Sequence, residues 1–185
     1  MGIGGGPEFL GPIDRPTEHS TRFERDGIGE YPSTPEISRE DLREAVLLMK
    51  GELERQGIAN GVVAAMIRME DEDPQVEIGI AGSFEREPDP VGRGPTDKGT
   101  SYGGVIWGKM FESLSTLLNS GTTDREPRKG EFGYKGALIR TFGNLKVITA
   151  CSGGTEEQDV VVAGTGMEYL IVDEPVAGMD APFTL

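Results

Sequence analysis

The stretch GALIRTFGNLKVITACSGGTEEQD, residues 136–159, decides how this chain of 185 residues is read. Two apolar runs, GALIRTF and LKVITAC, flank Gly143-Asn144, and a glycine-first two-residue loop suits a type II′ hairpin turn. The second run ends at Ser152-Gly153-Gly154, where the glycines permit positive φ and close backbone approach. Thr155 can cap a helix, and Gln158 three residues on completes a capping-box pattern. A hairpin therefore feeds a helix expected to run from Thr155 to about Leu170. The N–H groups of its first turn offer a seat for a carboxylate or phosphate. Glu156, Glu157 and Asp159 already satisfy the positive helix end, which equally suits a plain capped turn.

Working outward, residues 102–118 carry an apolar stripe (Ile106 or Trp107, then Met110, Phe111, Leu114, Leu117 and Leu118) and read as a second helix. Proline- and glycine-rich loops bound it, Glu85–Ser101 before and residues 119–133 after. Further upstream, Ser38 is a good N-cap with Glu40 and Asp41 in the first turn. Leu42, Ala45, Val46, Met49 and Leu53 then form one helical stripe, and Gly57 stops it. The run GVVAAMIRM, residues 61–69, is too continuously apolar to be half exposed. After the acidic turn at Glu70–Pro74, Val76, Ile78 and Ile80 alternate as a return strand. The order α-ββ-α-ββ-α predicts an α+β fold, one antiparallel sheet of two hairpins flanked by helices. The folded domain is expected over 37–172, with an extended N-terminal arm at 1–36 and a tail at 173–185.

The 18 Lys and Arg stand against 32 acids, a formal charge of −14. That balance opposes binding to nucleic acid and to anionic membrane surfaces. A single cysteine, Cys151, and a single histidine, His19, exclude a disulfide framework and the usual zinc and iron motifs within one chain. No metal is expected. No apolar run is long enough to span a bilayer and the start lacks the pattern of a secretory signal, so a cytoplasmic protein is expected. The arm carries Phe9, Leu10, Ile13 and Phe23 among its prolines and glycines, and is expected to pack on a neighbouring subunit of a homo-oligomer.

The string Ser152-Gly153-Gly154-Thr155-Glu156-Glu157-Gln158-Asp159 resembles the SGGTPEQD signature of the GlcG/HbpS-like domain family. Gly136-Ala137-Leu138 is similar to the family's G-G-hydrophobic-P segment, and in Val105-Ile106-Trp107-Gly108-Lys109-Met110 residue Lys109 takes a family lysine position. The resemblance, over about residues 38–171, implies a compact α+β fold and a homo-oligomer. Family members include a secreted haem-binding protein, domains attached to corrinoid adenosyltransferases, and small proteins encoded beside catabolic enzymes. Where haem is bound the family implies an axial histidine; this chain offers only His19, so no cofactor is expected. Met110, Tyr102 or Cys151 are the other residues able to ligate iron.

The resulting expectation is an oligomeric small-ligand-binding or accessory protein of a catabolic pathway, its ligand a small organic molecule at Ser152, Gly153, Gly154, Thr155 and Glu156. An alternative is an enzyme acting on a small organic acid or aromatic catabolite at a subunit interface, with Lys109 or Tyr102 moving a proton. A second alternative is a structural subunit of a larger complex. Cys151 is read as a buried inert thiol, or else as a thiolate favoured by the helix N-terminus. Arg86, Arg93 and Lys98, with Arg125, Arg128 and Lys129 on the next loop, are clusters able to seat an anion.

Overall fold

Ser38 caps the first helix, α1 (Arg39–Arg55), in the reciprocal manner its sequence asks for. Its hydroxyl accepts from the Asp41 N–H, and its own N–H donates to the Asp41 carboxylate at 2.7 Å. The computed structural model describes residues 34–171. The expectations for the tail, and for all of the arm but its last three residues, lie outside them. The stripe Leu42, Ala45, Val46, Met49 and Leu53 is buried, and Gly57 follows the cap with φ 71°.

The remaining elements are β1 (Gly61–Arg68), β2 (Gln75–Ala81), β3 (Glu85–Arg86), β4 (Thr100–Ser101), α2 (Tyr102–Thr116), β5 (Ala137–Phe142), β6 (Leu145–Ser152) and α3 (Glu156–Ile171). Strands β1, β2, β5 and β6 form one antiparallel sheet in the order β2-β1-β6-β5, so the last strand returns to pair with the first at the centre. Phe142 pairs with Leu145 across the two-residue turn, where Gly143 has φ 57° and Asn144 a negative φ, the sign pattern of type II′. Helices α1 and α3 cover one face, with Leu42, Met49, Leu53, Val63, Val147, Val162 and Met167 in the core between. Helix α2 covers the other, with Ile106 and Met110 on Val62, Ala64, Ile139, Ile148 and Ala150. This is the α+β sandwich expected, and among the described residues no helix is long and apolar enough to cross a membrane.

Three details differ from the sequence reading. The stripe assigned to α2 fails at Phe111, Leu117 and Leu118, all about half exposed, while Gly108, Lys109, Glu112 and Ser113 are buried instead. The cause is that α2 packs on the sheet with one flank and on the 119–136 loop with the next, where Lys109 also reaches Asp159 of α3, so its buried arc is wider and more polar than one apolar stripe. The helix also stops at Thr116, because Leu117 takes a left-handed conformation, φ 57°. The 85–101 loop is tied at its base by the β3–β4 ribbon, which two-residue strands do not announce in sequence.

Candidate functional site

A cavity of about 340 Å³ opens where the C-terminal end of β6 meets the N-terminal ends of α2 and α3. It brings together every residue the sequence singled out as a site: Tyr102 and Lys109 from α2, and Ser152, Gly153, Gly154, Thr155 and Glu156 from the β6–α3 junction. The sequence did not point to Thr100, Val105 or Tyr134, which complete the wall. Of the basic loop residues, Arg86 and Arg93 line it; Lys98, Arg125, Arg128 and Lys129 do not.

Lys109 forms the floor. Its ammonium is almost fully buried and donates to the Asp159 carboxylate at 2.6 Å and to the Cys151 carbonyl at 2.9 Å. Asp159 also accepts from the Gly154 N–H at 3.0 Å and from the Cys151 thiol at 3.3 Å. A buried charge without a partner is costly, and here each charge meets the other plus neutral partners. The pair fits because Gly136, φ 121°, runs its backbone against both side chains, and its carbonyl accepts from the Cys151 N–H at 2.8 Å. Gly136 is thus the residue of the family-like segment that the floor requires.

The first turn of α3 is largely satisfied by its own residues. Thr155 N–H donates to the Gln158 amide oxygen at 3.0 Å, and Gln158 N–H to the Thr155 hydroxyl at 3.3 Å, the capping box expected. Glu157 is held below the usual carboxylate range by backbone N–H donation and by the Thr155 hydroxyl. Charge for a ligand therefore comes from side chains. Arg86 is bound bidentately by Asp97, 2.7 Å on each nitrogen, which closes the 85–101 loop. Donation from Arg86 and from the Asp89 N–H keeps the Asp97 carboxyl far below its ordinary range. With the folded-state pKa depressed, this clamp is intact above the ordinary Asp range and is lost only as pH falls into strong acid. Arg93, on the same loop, makes no side-chain hydrogen bond or ion pair among the described residues.

Burial pushes the Cys151 thiol well up from its ordinary value, and the negative Asp159 beside it adds to the shift. The inert reading of Cys151 is the one this geometry supports. The folded protein is expected to resist a disulfide-exchange reagent at mildly alkaline pH and to titrate one thiol once unfolded in urea. Rapid labelling of the folded chain would contradict this.

The described residues around the cavity do not fit a haem. Met110 is a core side chain under α2, Cys151 is buried behind Asp159, and His19 lies outside the described residues. Of the described candidates Tyr102 lines the cavity, whose one aliphatic side chain among the described residues is Val105, so the described lining offers no apolar slot for a macrocycle.

No protein-family model matches the chain, and no curated protein matches it in sequence. Its structure is similar to that of the Ybr137w protein at 12% identity, covering 76% of this chain and 82% of that one, with a TM-score of 0.52. It is also similar to Klebsiella pneumoniae protein ORFY of family DUF336 (12% identity, 80% and 100% covered, TM-score 0.49). A double mutant of Streptomyces reticuli HbpS gives 16% identity, 86% and 99% covered, and a TM-score of 0.49. In its fold, an antiparallel sheet with helices on both faces, this chain is similar to the Ybr137w protein.

Proposed function

We propose that this chain is a non-catalytic, homo-oligomeric accessory protein of a cytoplasmic catabolic pathway, and that it binds a small organic acid in the cavity between α2 and α3. The observation that carries the reading is the charge arrangement around that cavity. Lys109 is matched by Asp159 and Arg86 by Asp97, which leaves Arg93 as the lining cation without a partner among the described residues. Arg93 is exposed at the cavity wall, where a ligand carboxylate can replace its water and bind in bidentate form. Tyr102, Tyr134 and Val105 offer walls for the ligand's carbon skeleton, and the third Lys109 N–H, beyond the two already donated, is available to a ligand oxygen.

The enzymatic alternative asks Lys109 or Tyr102 to move a proton, and both do line the cavity. Lys109 would have to leave a 2.6 Å ion pair and a 2.9 Å hydrogen bond to do so, which favours binding over turnover. The arm at 1–36 is assigned the role of packing on a neighbouring subunit.

Native mass spectrometry of the untreated protein tests the reading, since it reports copy number and any retained small molecule together. The expected result is a multiple of 19.9 kDa. Arg93→Gln is expected to weaken binding of a small carboxylate about tenfold or more, the usual worth of a charged hydrogen-bonded contact. Unchanged carboxylate affinity in Arg93→Gln, or turnover of a small hydroxy- or oxo-acid by the purified protein alone, would refute it.

A further inference from the structure

The cavity between α2 and α3 is lined by charges of both signs, and the protein itself uses all but two of them. Lys109 and Asp159 hold each other at 2.6 Å, and Arg86 is clamped by Asp97 at 2.7 Å. Arg93 and Glu156 remain. Both line the cavity, and among the described residues neither side chain makes an ion pair or a hydrogen bond, to the other or to any third group. The acids in the first turn of α3 have separate tasks. Glu157 is held at the helix start by backbone N–H donation and the Thr155 hydroxyl, and Asp159 by Lys109 and the Gly154 N–H. Those two already answer the positive end of the helix, which leaves Glu156 without a structural task there. Asp159, three residues on, turns to the cavity floor, and helical period keeps Glu156 on that flank. Gln158 turns away instead, donating to the Gln56 carbonyl at 3.1 Å. A half-buried carboxylate thus shares one cavity with an exposed guanidinium. Ser152 adds a third group. It is 3% exposed, lies on the α2 face by its register with Val62, and lines the cavity, and its hydroxyl has no hydrogen-bond partner among the described residues.

We propose that the small organic acid bound here is an amino acid, a ligand carrying a protonated amine as well as its carboxylate. The proposal rests on the acid-binding reading above and adds the second charge. The carboxylate has Arg93 and the third Lys109 N–H as donors; the ammonium has Glu156 and the Ser152 oxygen as acceptors. An acid without the amine brings its negative charge into a cavity that already holds Glu156, and nothing offsets the repulsion. The zwitterion meets an opposite charge at each end, which makes Glu156 the residue that selects between them. A volume of about 340 Å³ suits a ligand of this size, and Tyr102, Tyr134 and Val105 suit an apolar side chain on it.

Calorimetry of the full chain at neutral pH with phenylalanine and with 3-phenylpropanoate, which differ only in the amine, tests the proposal. Phenylalanine is expected to bind about tenfold or more tighter, the worth of one charge-assisted contact. Glu156→Gln is expected to erase that advantage by weakening phenylalanine while 3-phenylpropanoate binds as well as before or better. A residue that only shaped the cavity would move both compounds the same way. Equal affinity of the two compounds for the wild type would overturn the amino-acid assignment and leave the acid-binding reading standing. This comparison needs no variant, so it decides the assignment by itself. A preference for phenylalanine that survived in Glu156→Gln would overturn the role given to Glu156. Binding of neither compound would overturn the assignment, and failure of benzoate as well would take the acid-binding reading with it.

Discussion

Lys109→Met is expected to destabilise the folded chain by about 3–5 kcal/mol, the cost of stranding one charge of a buried pair. The substitution keeps the length and apolar stem of the side chain, so little of the loss comes from a cavity. It removes the 2.6 Å partner of Asp159 and the donor to the Cys151 carbonyl, leaving a buried carboxylate supported only by the Gly154 N–H and the Cys151 thiol. Adding Asp159→Leu removes the orphaned charge and is expected to recover part of the loss. Recovery stays incomplete, because the Gly154 N–H and the Cys151 carbonyl then lack partners. Urea unfolding of the two variants measures both effects. A loss under about 1 kcal/mol in the single variant would mean that the pair contributes as little as an exposed one.

Gly136→Ala is expected to cost about 2–6 kcal/mol, from two independent causes. Its φ of 121° is a conformation that side-chain-bearing residues rarely adopt, and that strain alone is about 1–3 kcal/mol. The added methyl would also sit 2.7 Å from both the Asp159 Cβ and the Lys109 Nζ, so the floor must shift to admit it, at about 1–3 kcal/mol for overpacking. Because the shift falls on Lys109, carboxylate affinity is expected to drop together with stability. Wild-type stability in this variant would show that the backbone at 136 is free to move and that the floor is not held by it.

The local elements of the fold were legible because local rules decide them. The Ser38 cap, the 42-45-46-49-53 stripe, the glycine-first turn at 143–144 and the Thr155–Gln158 box each declare themselves within a few residues. What long-range packing decides was not legible. The β1–β6 pairing at the sheet centre joins residues about 85 apart and leaves no local trace. The exposure of Phe111, Leu117 and Leu118 reflects where α2 ends and which flank it turns to the sheet. Val76, Ile78 and Ile80 have the alternation of a core-facing strand, yet only Val76 packs on the α2-side core, and that cover runs out before Ile78 and Ile80.

The candidate site shows the same division. The junction string and Lys109 were found, the latter through resemblance, since a lysine within a helix otherwise reads as solvated. Its partner Asp159 stands in the quoted string, but nothing in the spacing joins it to a lysine 50 residues earlier. Arg93 was visible as part of a basic loop cluster; only the Arg86–Asp97 clamp shows that Arg86 is spent and Arg93 is not.

The most direct test of the central claim is a titration of isotope-labelled protein with benzoate, followed by amide NMR, with benzamide as the uncharged control. The cavity as described predicts saturable shifts at Tyr102 and at Gly153 to Glu156 with benzoate, and weaker or absent shifts with benzamide. No shifts at those residues, or equal shifts with both compounds, would contradict an acid-binding site between α2 and α3.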